Sequence, residues 1–141
     1  MRGWEIVITN ADITLYNRYY DTNSRLDQWQ RTMIKGVHFF VDHKVSVGDN
    51  GLNSADVYKI RIPIDAEIDG IYMTEDEWMD SGTDVQGKWT LQSDDIVVLG
   101  ECNMDIKRPA ELKEAGKRYC KITSWSDNRF GGLPHWRIGG E

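Results

Sequence analysis

Cysteine, proline and histidine are scarce in this chain of 141 residues, which has two, three and three of them respectively. Cys102 and Cys120 lie far apart and form no C-x-x-C pair, a pattern that favours two reduced, buried thiols over one disulfide. No apolar run approaches the roughly 18 residues of a membrane span, and the N-terminus lacks the apolar core of a signal peptide. The sequence therefore predicts neither a disulfide scaffold nor a membrane protein, and it indicates a chain made without export.

Positive charge is also limited, because 17 Lys and Arg face 23 Asp and Glu, giving a net charge of −6 and a pI of about 5.0. Domains whose whole surface grips nucleic acid are usually basic, so this balance argues against that class. It does not exclude a protein that lies near nucleic acid without gripping it. A hydrophobic content of 40% and a charged content of 28% fit one globular domain over residues 1–141.

Motifs for catalysis and metal binding are missing as well. His38 and His43 point to opposite faces of a strand, and no H-E-x-x-H or cysteine pair occurs. The segment 80–87 resembles a fragment of a calcium loop but lacks the distal Glu, which favours a solvated turn. A small hydrolase or metalloenzyme would need His43 or His135 to meet carboxylates in a pocket. The sequence thus predicts no enzyme, no catalytic residue, no metal and no cofactor.

What the sequence does contain is alternation of apolar and polar residues. Odd positions from Trp29 to Val47 are mostly apolar and even positions mostly polar, the period of a half-buried strand. The run is too long for one straight strand, so we expect a bend at Gly36 and a second break near Asp42. The segment 58–64 also alternates, with its apolar face formed by Tyr58, Ile60, Ile62 and Ile64. Further strands are expected at 13–20, 88–92, 95–101, 118–125 and 134–138.

Short helices and polar turns separate these strands. Thr74 and Glu77 form a capping box that opens one or two helical turns, and the segment 108–116 has the Pro and Gly placement of a second short helix. The segments 21–28 and 47–56 are rich in Gly, Asn, Asp and Ser, which predicts loops. The fold class is therefore all-β, a small β-barrel or sandwich with one or two short helices.

Six Trp and six Tyr are many for one small core, so we expect some of them at contacts with partners. The segment 125–136, WSDNRFGGLPHW, combines Arg with bulky aromatics, the composition of a protein–protein hot spot. It is interpreted as the turn of a closing hairpin that docks on a neighbouring subunit, with Gly131–Gly132 serving the turn. The candidate interface residues are Trp125, Asp127, Asn128, Arg129, Phe130 and Trp136.

Five segments in order resemble head–tail connector proteins of tailed phages, the head-completion or stopper group, which are often described only as minor structural proteins. They are ADITLYNRYYD, WQRTMIKGVHFF, YKIRIPI, DIVVLGE and KITSWSDNRFGGLPHWRIGG. The resemblance covers most of the chain, and its most specific parts are Trp29–Val37 and Asp127–Trp136. The segment 74–87 is longer than a minimal barrel needs, and it is a candidate contact with a neighbouring ring.

The resemblance implies a structural protein of the virion neck, made in the host cytoplasm and assembled as a ring, commonly a hexamer. The portal or adaptor ring would lie above it and the tail terminator or tail tube below, and the ring would close the DNA exit channel. A loop reaching into the channel would act as a gate without sequence-specific DNA binding, and acidic residues there would repel phosphates. The candidate gate residues in 47–56 are Gly48, Asp49, Asn50, Gly51, Asn53 and Asp56.

Two other classes stay open. Another phage ring, such as the tail terminator or a baseplate component, has similar size and β content. A monomeric β-sandwich that binds carbohydrate or peptide would instead use exposed Trp side chains to stack on its ligand.

Overall fold

The structure, a computed structural model, describes residues 11–48, 51–130 and 132–141, and for 41–48 and 51–57 it describes the backbone alone. The protein is mainly β with two short helices, which confirms the predicted fold class. In chain order the elements are β1 (Ala11–Asp21), β2 (Leu26–Gly48), β3 (Gly51–Pro63), β4 (Glu67–Ile68), β5 (Ile71–Tyr72), α1 (Glu75–Ser81), β6 (Lys88–Trp89), β7 (Ile96–Leu99), α2 (Ala110–Glu114), β8 (Tyr119–Asn128) and β9 (His135–Gly140).

Six strands pair into a sheet that closes on itself, called here the closed sheet. Its order is β1-β7-β8-β9-β3-β2, and β2 returns to pair with β1. All of these pairings are antiparallel. The short β4 adds to β2, while β5 and β6 form a separate parallel pair. The closure leaves few unpaired strand edges, the feature by which all-β proteins avoid unspecific strand addition.

The alternation of apolar and polar residues along the strands places the apolar side chains in the core. Inward positions carry aliphatic residues, and a central cluster includes Ile13, Leu15, Ile34, Ile60, Ile62, Val97, Ile122 and Ile138, all at most 1% exposed. A second cluster under α2 contains Tyr16, Ile96, Val98, Cys102, Ile106 and Leu112. Both cysteines are buried and free, in line with the expectation that they lie in the core.

The long strand β2 bends once, at the predicted glycine. Gly36 has a φ of +81°, and the β1–β2 register slips between Ala11 and Asp12, the mark of a β-bulge. The Asp12 carboxylate accepts the Gly36 N–H at 3.1 Å and holds the bulge. The second break expected near Asp42 was wrong, because the β2–β3 register runs without a slip from His38 to Gly48.

The segment 47–56 is also not a loop. Gly48 belongs to β2, and Gly51, Asn53 and Asp56 belong to β3, while Asp49 and Asn50 lie outside the described residues. Continuous cross-strand pairing prevails here over the low β propensity of Gly and Asn. The last parts of this hairpin, 42–48 and 51–57, pair with each other, and no third strand pairs with them within the described chain. We call this two-stranded extension the ribbon.

Both predicted helices are present. In α1 the Thr74 hydroxyl accepts the Glu77 N–H at 3.3 Å and the Glu77 carboxylate accepts the Thr74 N–H at 3.0 Å, which confirms the capping box. These hydrogen bonds lower the pKa of Glu77 below its usual value. Trp78 buries its ring and donates its indole N–H to the Arg18 carbonyl at 3.0 Å, fixing α1 on β1. Within the described ranges, no helix has the length and apolar character to cross a membrane.

Candidate interaction surface

The hairpin of β8 and β9 places the predicted interface residues at one end of the closed sheet. β8 continues to Asn128, so the strand takes in more of the segment than the sequence indicated. Asp127 lies opposite Trp136 and Asn128 opposite His135, and the turn that connects the strands is correspondingly short.

Arg129 and Asp127 close this turn through a two-pronged ion pair, called here the arginine fork. The Arg129 Nε donates to Asp127 Oδ1 at 2.8 Å and its Nη2 donates to Oδ2 at 2.7 Å. The Arg129 backbone N–H donates to Oδ1 as well, at 3.2 Å. The side chains are 30% and 20% exposed, so water screens the pair only partly. The fork therefore fixes the direction in which the chain enters the turn.

Aromatic rings support the fork from below. The guanidinium carbon of Arg129 lies 4.8 Å from the centre of the Tyr72 ring and 5.4 Å from that of Trp136, distances typical of cation–π contacts. Trp89 completes a cluster with both rings, at centroid distances of 4.8 Å from Tyr72 and 5.0 Å from Trp136. Burial, and after it the Asp127 charge, raise the pKa of Tyr72 to about 12. The fork is thus stacked on the edge of the hydrophobic core.

Trp136 was wrongly assigned to the interface. It is 5% exposed and belongs to the central core, because β9 turns it inward against Tyr72 and Trp89. Trp125 is half-buried and packs against the same core. Of the five Trp within the described residues, three are buried and two, Trp29 and Trp125, are half-buried, so a partner contact by Trp stays a prediction for these two.

Smaller apolar side chains are exposed instead. Phe130 is 92% exposed, Leu133 81% and Ile64 51%, and the Ile64 N–H donates to the Pro134 carbonyl at 3.2 Å. We call Ile64, Phe130 and Leu133 the apolar tip. Ile64 was predicted on the buried face with Ile60 and Ile62, but β3 ends at Pro63 and the alternation ends with it. Leu133 was not predicted, since a leucine in a turn carries no signal of its own.

A family model described as "Family of unknown function (DUF6751)" matches residues 8–141. The chain belongs to this family. No curated protein and no solved structure matches it. The DUF6751 match includes the closed sheet, the ribbon and the β8–β9 turn, so these features all lie within the family's domain.

The polar groups of the turn in this DUF6751 protein satisfy one another. The hydrogen bonds from Arg129 lower the pKa of Asp127 below its usual range, which keeps the carboxylate ionised rather than poised to take a proton. The His135 Nδ1 lies 2.6 Å from the Leu133 carbonyl oxygen, and its Nε2 lies 3.3 Å from the Asn128 amide nitrogen. The described residues contain no cluster of three or more metal-ligating side chains. His43 lies in β2, and its side chain is outside the described part.

A second surface of the DUF6751 protein lies beside α1. An open cleft of about 710 Å³ runs between the end of β1 and α1, lined among others by Arg18, Tyr20, Trp78 and Met79. Tyr20 is 52% exposed and Met79 72% exposed. A convex apolar tip and a concave cleft of mixed character therefore occur in one chain, and neither was apparent as a surface from the sequence.

Proposed function

We propose that this DUF6751 protein is a structural connector of tailed-phage particles, a ring-forming subunit of the head–tail neck that closes the DNA exit channel and docks the tail. The apolar tip is the observation that carries the proposal. Three large apolar side chains project at one end, and the arginine fork holds the turn that bears two of them in one conformation. A preformed apolar surface loses little entropy on binding, and such exposure in a globular chain marks a protein contact.

The ribbon supplies a second element of the same proposal. A two-stranded hairpin is marginally stable without further contacts, so an extension of this kind suits a chain whose neighbours surround it. At about 3.3 Å per residue, the seven paired residues of each strand reach about 23 Å beyond the closed sheet. In a ring, ribbons from all subunits can meet at the axis, where acidic residues would discourage adhesion of DNA phosphates.

Cryo-EM of the neck of purified particles tests the proposal directly. We expect density for this protein as a ring, a hexamer, between the portal side and the tail tube. A ring found only at the distal end of the tail would assign the protein to the tail terminator or baseplate class. Absence from the particle would leave the monomeric ligand-binding class, whose test is ligand binding by the isolated protein.

Removing the apolar tip is expected to weaken assembly without loss of stability. In F130A/L133A the folded state loses almost no buried area, since both side chains are largely exposed. A contact with anchor residues of this size should weaken by at least about tenfold when both are truncated. Sedimentation velocity measures the association and thermal unfolding measures the stability. The matched control is F40A, which removes a Phe that is 50% exposed in β2, away from the tip. If F130A/L133A associates as strongly as wild type, the apolar tip is not part of the interface.

Shortening the ribbon is expected to leave the ring intact and to let packaged DNA leak from particles. Replacing residues 45–54 with Asn-Gly keeps the pairing of Lys44 with Ala55 and joins them by a favourable hairpin turn. DNA retention is measured as the nuclease-resistant genome content of purified particles. The control inserts the same Asn-Gly in place of Asp49 and Asn50 only. Full retention by the shortened variant would refute the gate role of the ribbon.

A further inference from the structure

Two arginines of like charge lie directly opposite each other on the outer surface of the closed sheet. Arg61 of β3 is the register partner of Arg137 of β9, and both are exposed. Like charges in this position destabilise a sheet. Neither guanidinium forms an ion pair with any residue that the structure describes. This arginine pair is an uncompensated positive site on a protein whose net charge is −6.

Helix α1 carries the opposite arrangement. Asp76 and Asp80 are four residues apart, one helical turn, and both are exposed. Trp78 lies midway between them in sequence and is buried, so the two carboxylates point away from the protein. Like charges at this spacing destabilise a helix. Within the described ranges neither carboxylate has a cationic partner. We call these residues the aspartate pair.

The two pairs lie on separate elements of the fold. Trp78 fixes α1 on β1, whereas the arginine pair lies on β3 and β9. In the closed strand order, β2 separates β1 from β3 in one direction, and β7 and β8 separate β1 from β9 in the other. Two separate patches of opposite charge suit head-to-tail contact between copies, in which each subunit presents two different patches. A two-fold contact through either patch would bring like charges together.

We propose that the arginine pair of one copy binds the aspartate pair of the next copy. The inference rests on the proposed ring and names the surfaces that join its subunits. Cβ atoms lie about 5 Å apart across strands and about 5–6 Å apart at i, i+4 of a helix, so two Arg–Asp contacts form at once. Each planar guanidinium can grip a carboxylate with two hydrogen bonds. The exposed Met79 beside Asp80 and Ile64 just beyond β3 add an apolar contact at the edge of this interface.

Two half-blocked variants test the pairing. R61E/R137E keeps only the aspartate pair, and D76K/D80K keeps only the arginine pair. Sedimentation velocity at low and high salt is expected to show that each variant alone associates at least about a hundredfold more weakly than wild type. The two variants mixed should associate again, because the aspartate pair of one meets the arginine pair of the other and the substituted Glu and Lys faces also carry opposite charges. K113E/K117E, with the same charge change on and just after α2, serves as the control and should associate as wild type does.

The following results would each contradict the inference. Wild-type association by the half-blocked variants would place the contact elsewhere while leaving the ring itself in place. Failure of the mixed variants to pair would show that the two faces are not partners. A wild-type protein that stays monomeric at millimolar concentration and low salt would refute the pairing, and its position in the particle would still decide the proposed function. If R61E/R137E loses only affinity for duplex DNA, the arginine pair binds phosphate and not a second copy.

Discussion

Replacing Asn17 with alanine is expected to lower the free energy of unfolding by about 4 kcal/mol at pH 7. Asn17 is fully buried, and its amide donates to the Thr90 carbonyl and to Asp95 Oδ2, both at 2.8 Å. Its own carbonyl accepts the Thr90 N–H at 3.1 Å. Alanine leaves both backbone groups of Thr90 without a partner and removes a donor from a buried carboxylate. All of these losses act in the same direction, since each leaves a polar group desolvated and unpaired.

The same substitution is expected to change the pH dependence of stability. Burial raises the pKa of Asp95 to about 6, although Asn17, Gln92 and the Arg18 N–H all donate to its carboxylate. Between about pH 4 and 6 the folded state thus holds a proton that the unfolded state has released. Stability therefore falls as pH rises through this window, by about 3 kcal/mol from this group. Without the Asn17 donor the pKa of Asp95 rises further, and the fall extends above pH 6.

Urea unfolding at one-unit steps from pH 4 to pH 8 measures both effects. N23A is the matched control, because Asn23 is exposed in the β1–β2 turn and contributes only its backbone N–H, to Asp21. Its stability should stay within about 0.5 kcal/mol of wild type at every pH. An N17A protein with the stability and pH profile of wild type would show that the buried hydrogen bonds around Asp95 do not contribute to the free energy of unfolding.

Local and periodic features of the fold could be predicted from the sequence. Ile60 and Ile62 face inward and Arg61 outward, because burial on one side of a strand imposes a period of two on the residues themselves. The capping box of α1 was equally predictable, since its two hydrogen bonds join residues three apart. Even Asn17 left a signal, because it lies on the same face as Ile13 and Leu15, where a polar residue needs a buried partner.

The remaining features depend on contacts distant in sequence. Trp136 is buried because Tyr72 and Trp89 fold over the end of the closed sheet, and nothing near residue 136 in sequence encodes that contact. The acceptor for Asn17 is Asp95, 78 residues away. The segment 47–56 was predicted as a loop because Gly, Asn, Asp and Ser dominate it, yet β2 continues to Gly48 and β3 begins at Gly51. Amino-acid composition gives the local conformational preference of a segment, but pairing with a neighbouring strand determines its secondary structure.

Replacing Arg129 with alanine is expected to destabilise the fold by about 2 kcal/mol and to weaken assembly as well. The variant loses the arginine fork and uncovers the rings of Tyr72 and Trp136, and it leaves Asp127, which is 20% exposed, without its cation. R129K is the control that keeps the charge. It should recover only part of the stability, because a lysine ammonium cannot form the two-pronged contact. Urea unfolding and sedimentation velocity on the same samples separate the two effects.

The pH dependence identifies the fork as the source of the lost stability. Because the pKa of Asp127 is lowered in the folded state, its contribution is present above about pH 4 and is lost as the pH falls through the folded-state value. The difference in stability between wild type and R129A should therefore shrink below pH 4. The Asp95 contribution behaves in the opposite way, since it is lost as the pH rises. A double-mutant cycle with D127A should give a coupling of about 1–2 kcal/mol at pH 7 that disappears in acid. A difference that stays constant down to pH 2 would assign the loss to ring packing alone, and the apolar tip would then be oriented by the aromatic cluster and not by the fork.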